Sequence, residues 1–142
     1  MTRELTGKCL CGAVRWRCTA APLWQAHCHC ESCRKATASP FTSFIGMHKS
    51  AVVFSGDAPG TYASSPGVTR SFCRTCGTPV AFASTRWPEE IHLYAASLDD
   101  PTLFAPTAHV NWGERVDWAD LHDGLRKYIT SGDDGDIDKT AP

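Results

Sequence analysis

Seven of the eight cysteines in this 142-residue chain fall into three tight groups: Cys9-x-Cys11, Cys28-x-Cys30-x-x-Cys33 and Cys73-x-x-Cys76-Gly77. Neighbours as near in sequence as Cys9/Cys11 or Cys28/Cys30 cannot bridge to one another without strain. The same spacings suit a tetrahedral metal ion, because zinc, with Zn–S bonds of about 2.3 Å, needs its sulfurs gathered closely. The glycine after Cys76 can take the positive φ that turns backbone amides toward a sulfur. A fold for this chain must therefore carry separate cysteine turns to common points, and two Zn²⁺ per chain are expected.

The spacings establish the presence of metal ligands more firmly than their pairing. The pairs Cys9/Cys11 and Cys73/Cys76 can complete one four-thiolate site, which would be closed and structural. Cys28, Cys30 and Cys33 do not reach four ligands alone, and an incomplete set is what a catalytic zinc requires, so that water or substrate can take the open position. Cys18 could supply a fourth thiolate, but it shares a strand face with Val14 and Trp16 and reads as a core cysteine. His27 and His29 flank Cys28 and are the other candidates, although adjacent side chains of an extended chain point away from one another.

The rest of the chain reads as mostly β. Ala13 to Cys18 alternates, with Val14, Trp16 and Cys18 on one face and two arginines on the other, the period of a half-buried strand. Residues 40–45, 51–54, 67–72, 80–83 and 91–95 are short, apolar or β-branched runs punctuated by Gly, Pro and Ser, which favours many short strands over a βαβ sheet. Helix is expected only over one or two turns at 31–38 and, weakly, at 118–128. The length suits one domain, placed at residues 1–130. The acidic, apolar-poor segment 131–142 is expected to be a flexible, solvated tail whose removal after Tyr128 leaves the fold nearly unchanged.

The formal charge of −1 becomes more acidic once ligating cysteines are counted as thiolates, so no nucleic-acid or anionic-membrane partner is expected. No apolar run approaches the roughly 20 residues of a membrane span. The first seven residues carry charge and a glycine where a signal peptide needs an apolar stretch. A cytoplasmic location is expected, which also favours metal over disulfides.

The three cysteine groups, in this order, resemble the glutathione-dependent formaldehyde-activating enzyme (GFA) family. The resemblance runs through Gly7-Lys8-Cys9-Leu10-Cys11-Gly12-Ala13-Val14, Cys28-His29-Cys30-Glu31-Ser32-Cys33-Arg34-Lys35 and Phe72-Cys73-Arg74-Thr75-Cys76-Gly77-Thr78-Pro79. It continues at Ser97-Leu98-Asp99-Asp100-Pro101 and ends near Gly124-Leu125-Arg126-Lys127-Tyr128. It implies several small coiled antiparallel β-sheets of the Mss4-like kind with little helix. It also implies structural zinc at Cys9, Cys11, Cys73 and Cys76 and catalytic zinc at Cys28, Cys30 and Cys33. Ala38 stands where the family often has glycine, which bears on the loop after the triplet.

The activity so implied is that of a carbon–sulfur lyase or synthase on thiol–aldehyde adducts of the S-hydroxymethylglutathione type, with a small thiol such as glutathione and an aldehyde as partners. Arg34, Lys35 and Arg70 are candidates to meet glutathione carboxylates. The alternative is a zinc-stabilised β binding module without chemistry, in which metal serves folding alone. A thiol-redox role for Cys73-x-x-Cys76 is disfavoured by the lack of a βαβ pattern.

Overall fold

Alternating burial along Val14–Cys18, with residues 14, 16 and 18 buried and 15 and 17 exposed, sets the style of the whole chain. The computed structural model describes residues 3–133 and 135–138. Among them are eleven strands: β1 Leu5–Lys8, β2 Val14–Cys18, β3 Trp24–Cys28, β4 Thr42–His48, β5 Val52–Gly56, β6 Gly60–Ser65, β7 Val68–Phe72, β8 Pro79–Ser84, β9 Glu90–Tyr94, β10 Ala108–Val110 and β11 Arg126–Lys127. Helix α1, Glu31–Thr37, is the one α-helix among the described residues, beside four short 3-10 turns. The fold is mostly β, as the punctuated sequence predicts.

The chain divides into two compact units, Met1–Trp24 with Ile45–Phe104 and Gln25–Phe44 with Ala105–Pro142. In the first unit β1, β2 and β5 form an antiparallel sheet. Gly7 lies opposite Trp16 in that register, and a Cβ there would collide with the indole ring, so only glycine lets the two strands close. The Trp16 indole N–H is met by the Ser97 hydroxyl at 3.0 Å, which satisfies a donor whose burial would otherwise cost stability. Strands β6 to β9 follow as an antiparallel meander. Val14, Trp16, Ile45, Met47, Val80 and Leu93 head the apolar core of this unit.

In the second unit β3, β10 and β11 are all parallel neighbours, with Cys28 opposite Val110 and His109 opposite both His27 and Lys127. This departs from the antiparallel sheets expected. The physical reason is the connection: no hairpin links these strands, and the long chain between Cys28 and Ala108 permits the crossover that parallel pairing requires.

One other expectation is corrected, and one bears on the end of the chain. No helix forms over 118–128; instead Gly124 takes φ 73, and the Asp123 carboxylate accepts the Leu125 amide at 3.0 Å, a local turn that replaces the helical bond. The acidic tail lies partly outside the described residues, at 134 and 139–142. Its described part turns back: Ile129 N–H donates to Asp136 O at 2.9 Å and Asp138 N–H to Lys127 O at 2.9 Å. Thr130 O and Ile129 O in turn accept the amides of Asn111 (2.6 Å) and Gly113 (3.1 Å). A segment with these bonds is paired, not freely solvated.

Helix α1 ends on Ala38 at φ 54, ψ 35, in the left-handed region, which accounts for a glycine preference at this place. Ala38→Gly is expected to stabilise the chain by about 0.5–1 kcal/mol, since left-handed backbone costs a Cβ-bearing residue about 1–2 kcal/mol and glycine's added chain entropy offsets part of that. A thermal midpoint that falls would contradict it. Truncation after Tyr128 should cost on the order of 1–3 kcal/mol, because two amides lose their acceptors; an unchanged midpoint in scanning calorimetry would restore the tail reading.

Candidate metal centres

The turns that close each cysteine group are built to aim amides at sulfur. Gly12 and Gly77 take φ 79 and φ 78. Cys9 Sγ accepts the Val14 amide at 3.3 Å and Cys73 Sγ accepts the Cys76 amide at 3.5 Å. Thr78 ties the two knuckles of the first unit together, its hydroxyl accepting the Leu10 amide at 3.1 Å and donating to Cys76 Sγ at 3.1 Å. The sulfurs of Cys9, Cys11, Cys73 and Cys76 all lie within 4.8 Å of one another.

The second group rises from one turn in the second unit. Cys28 ends β3, Cys30 caps α1 and accepts the Cys33 amide at 3.2 Å, and Cys33 lies one turn into the helix. Their three sulfurs again lie within 4.8 Å of one another, and no further Cys, His, Asp or Glu among the described residues joins the set. Cys18 sits in the core of the first unit, its Sγ 3.7 Å from Ala20 O. Neither flanking histidine joins the sulfur set: His27 Nδ1 is 2.8 Å from the Ser43 hydroxyl and His29 Nε2 is 2.7 Å from His109 Nδ1.

Distances test the donor sets. Four sulfurs at about 2.3 Å from one centre stand about 3.8 Å apart. Cys9 to Cys11 is 3.7 Å, Cys11 to Cys73 is 3.8 Å, and Cys28 to Cys33 is 3.9 Å. All eight cysteines are free of disulfides. Electrostatics agrees: the neighbouring Cys30 and Cys33, then burial, push the Cys28 thiol well above its ordinary range. In the first group the Thr78 hydroxyl and amide hold Cys76 down at about 5. Sulfurs so packed cannot all ionise unless a cation stands among them. Both groups can hold a metal ion.

Around the triplet the second unit assembles a polar chain that sequence reasoning missed. The Asp123 carboxylate can only accept, so His109 Nε2 carries the proton across their 2.7 Å contact. His109 Nδ1 is then the acceptor, and His29 Nε2–H donates to it at 2.7 Å. The remaining His29 nitrogen, Nδ1, then carries no proton. Trp112 packs edge-on against His29 at 4.8 Å, and Phe41 lies 5.3 Å from the same ring. Asn111 donates its side-chain amide to Cys28 Sγ at 3.2 Å. The turn signal in Asn111-Trp112-Gly113 was readable, but not what the turn faces.

Of the cations singled out in the sequence, Arg34 braces this unit, donating to His29 O at 3.3 Å and Glu114 O at 3.1 Å. Lys35 pairs with Glu31 at 2.8 Å on the exposed side of α1. Arg70 belongs to the first unit, buried, bonded to the Ser64 hydroxyl at 3.0 Å and stacked on Phe82.

A sequence model described as glutathione-dependent formaldehyde-activating enzyme matches residues 4–114. A Schizosaccharomyces pombe protein named only as an uncharacterized lyase is 39% identical over 82 residues, 58% of this chain and 59% of that protein's length. A Halomonas elongata protein, provisionally named a glutathione-dependent formaldehyde-activating enzyme, is 29% identical over 127 residues, 82% of this chain and 80% of that one. Among solved structures, a Rhodobacter sphaeroides protein superposes with a TM-score of 0.57 at 25% identity, over 66% of this chain and 87% of its own.

Burial, then the neighbouring His109, lowers His27 to about 4 and, with His27 added, His29 to about 3. The unfolded chain takes up these protons as the pH drops below about 6.5, while the folded chain does not until about 4. The contribution of the pair to stability is therefore full above 6.5 and is lost as the pH falls toward 4. Ring nitrogen shifts in NMR should keep both rings neutral at pH 5; a midpoint near 6.5 for His29 would contradict its burial.

Proposed function

Because the chain belongs to the glutathione-dependent formaldehyde-activating enzyme family, we propose that it makes or breaks the carbon–sulfur bond of thiol–aldehyde adducts of the S-hydroxymethylglutathione type. In this reading Cys9, Cys11, Cys73 and Cys76 hold a structural zinc, and Cys28, Cys30 and Cys33 hold the zinc at which the reaction takes place. The observation that carries it is the contrast between a complete four-sulfur set and a three-sulfur set on a single turn. Soft thiolate sets at tetrahedral spacing favour zinc over magnesium or calcium. When bound at the triplet, zinc supplies Lewis-acid chemistry that acidifies and orients a thiol at the open coordination position.

The chain's own residues divide the remaining work. In the lyase direction the adduct hydroxyl loses its proton, the carbon–sulfur bond breaks, sulfur keeps the electron pair, and the carbon leaves as the aldehyde. The proton needs an acceptor, and His29 is the base this unit offers, adjacent in sequence to two of the three sulfurs. Asp123 and His109 fix its tautomer through two 2.7 Å contacts, so the unprotonated nitrogen is Nδ1. Burial keeps that ring unprotonated near neutral pH, so its lone pair can take the proton. Trp112 and Phe41 shield the ring from water. Arg34 holds the backbone on either side, at His29 and Glu114.

The partners are a small thiol such as glutathione and an aldehyde such as formaldehyde. Among the described residues no helix is long and apolar enough to cross a membrane, and the acidic charge balance gives no general attraction to nucleic acid.

Two variants and one assay test the reading. Purified without chelator, the chain should carry two zinc ions and release formaldehyde from S-hydroxymethylglutathione. Cys30→Ser should keep one zinc and its β-type circular dichroism while losing activity. Cys73→Ser should be metal-poor and aggregated, because its site joins segments 62 residues apart. Equal unfolding of both variants would end the division into structural and reactive sites, and no turnover at full zinc loading would exclude this substrate.

A further inference from the structure

Asn111 is one of two non-glycine residues with positive φ among the described residues, at φ 53, ψ 36. The place is forced by register. Strand β10 runs parallel to β3 with Val110 opposite Cys28, and Val110 O accepts the His29 amide at 3.0 Å. One residue further the chain must turn away into the 3-10 turn Trp112–Glu114. Asn111 makes that step, its N–H on Thr130 O at 2.6 Å and its carbonyl on the Glu114 amide at 3.0 Å. Its side chain then folds over the end of β3, where Nδ2 lies 3.2 Å from Cys28 Sγ.

The residue type carries information. Left-handed backbone is tolerated best by Gly, Asn and Asp. Glycine would turn the chain with no donor, and aspartate would set a carboxylate against a sulfur that must be anionic to bind metal. Asparagine alone of the three turns the chain and gives the sulfur an N–H. The N–H···S contacts at Cys9, Cys30 and Cys73 come from the backbone, as do amides acting on Cys11 and Cys76, whereas the one at Cys28 comes from a side chain.

Resting on the proposed metal at the triplet, we infer that Asn111 is a positioning residue for that site: its amide N–H draws charge off the Cys28 sulfur and holds it in the ligating orientation. Three thiolates around a dication leave a net negative set, which weakens the ion's pull on an incoming thiol. A hydrogen bond to one thiolate reduces that donation and restores part of the pull. Asn111 thus adjusts the reactive site and leaves the four-sulfur site of the first unit untouched.

Metal substitution tests this without relying on turnover. In protein loaded with ¹¹³Cd, the Asn111 side-chain amide protons should show scalar coupling to the triplet cadmium through the N–H···S bond; no coupling at a loaded triplet overturns the inference. In cobalt-loaded protein, Asn111→Gly keeps the left-handed turn and loses the donor. Both forms should bind two equivalents, but in the variant the sulfur-to-cobalt charge-transfer band of the weaker site should move to longer wavelength and its affinity should fall about tenfold. Identical spectra and affinities would mean that Asn111 serves the turn alone. A wild type that binds one equivalent only would instead remove the triplet metal site itself, and this inference with it. The cadmium measurement uses the unaltered chain and decides the matter even where the glycine variant does not fold.

Discussion

Sulfur atoms packed 3.7–3.9 Å apart without covalent bonds define what the rest of this structure must accommodate. At that spacing the thiolates repel, and the neutral thiols waste the amides aimed at them. Only a cation among them makes the arrangement favourable. Each surrounding feature serves that condition: the positive-φ glycines that turn amides inward, the Thr78 hydroxyl that ties two knuckles together, and the N-cap of α1 made from a ligand sulfur. Two groups able to hold a metal ion are thus built into the fold itself.

The two groups use the same local chemistry to different ends. In the first unit four sulfurs from two distant turns sit against an apolar core that includes Cys9 and Cys73 themselves. In the second, three sulfurs share one turn, and the surroundings are histidines, an asparagine and a buried lysine over Trp112. Lys127 is 2% exposed and keeps its charge company with Asp123 at 3.7 Å and Leu125 O at 3.1 Å. A buried network of this kind is costly unless each member has its partner. Such polarity around a three-sulfur set is what supports the proposed reactive role of this group.

The sequence revealed those features that depend on near neighbours. Cysteine spacing announced both groups, and two-residue alternation announced β2, because coordination turns and strand faces are local properties. No strand was assigned to β1, β3, β6, β10 or β11; of these β3 carries Gln25 and His27 among its residues, and β10 has only three. The weak helical reading near Trp118 failed because the Asp123 side chain replaced a helical bond and reached His109 as well. Asn111 was invisible for a further reason. Its role exists only once a parallel register sets it beside a cysteine 83 positions away.

That long-range register also governs when the second unit can exist. Its chain comes in two pieces, Gln25–Phe44 and Ala105–Pro142, separated by most of the first unit. During synthesis Cys28, Cys30 and Cys33 emerge early, on a turn that needs no later residue to gather its sulfurs, while His109, Asn111 and Asp123 emerge many seconds afterwards at ordinary translation speeds. The three sulfurs can thus gather before the residues around them exist, and the parallel β3–β10 pair, a contact between distant segments, has to wait for the chain that separates them.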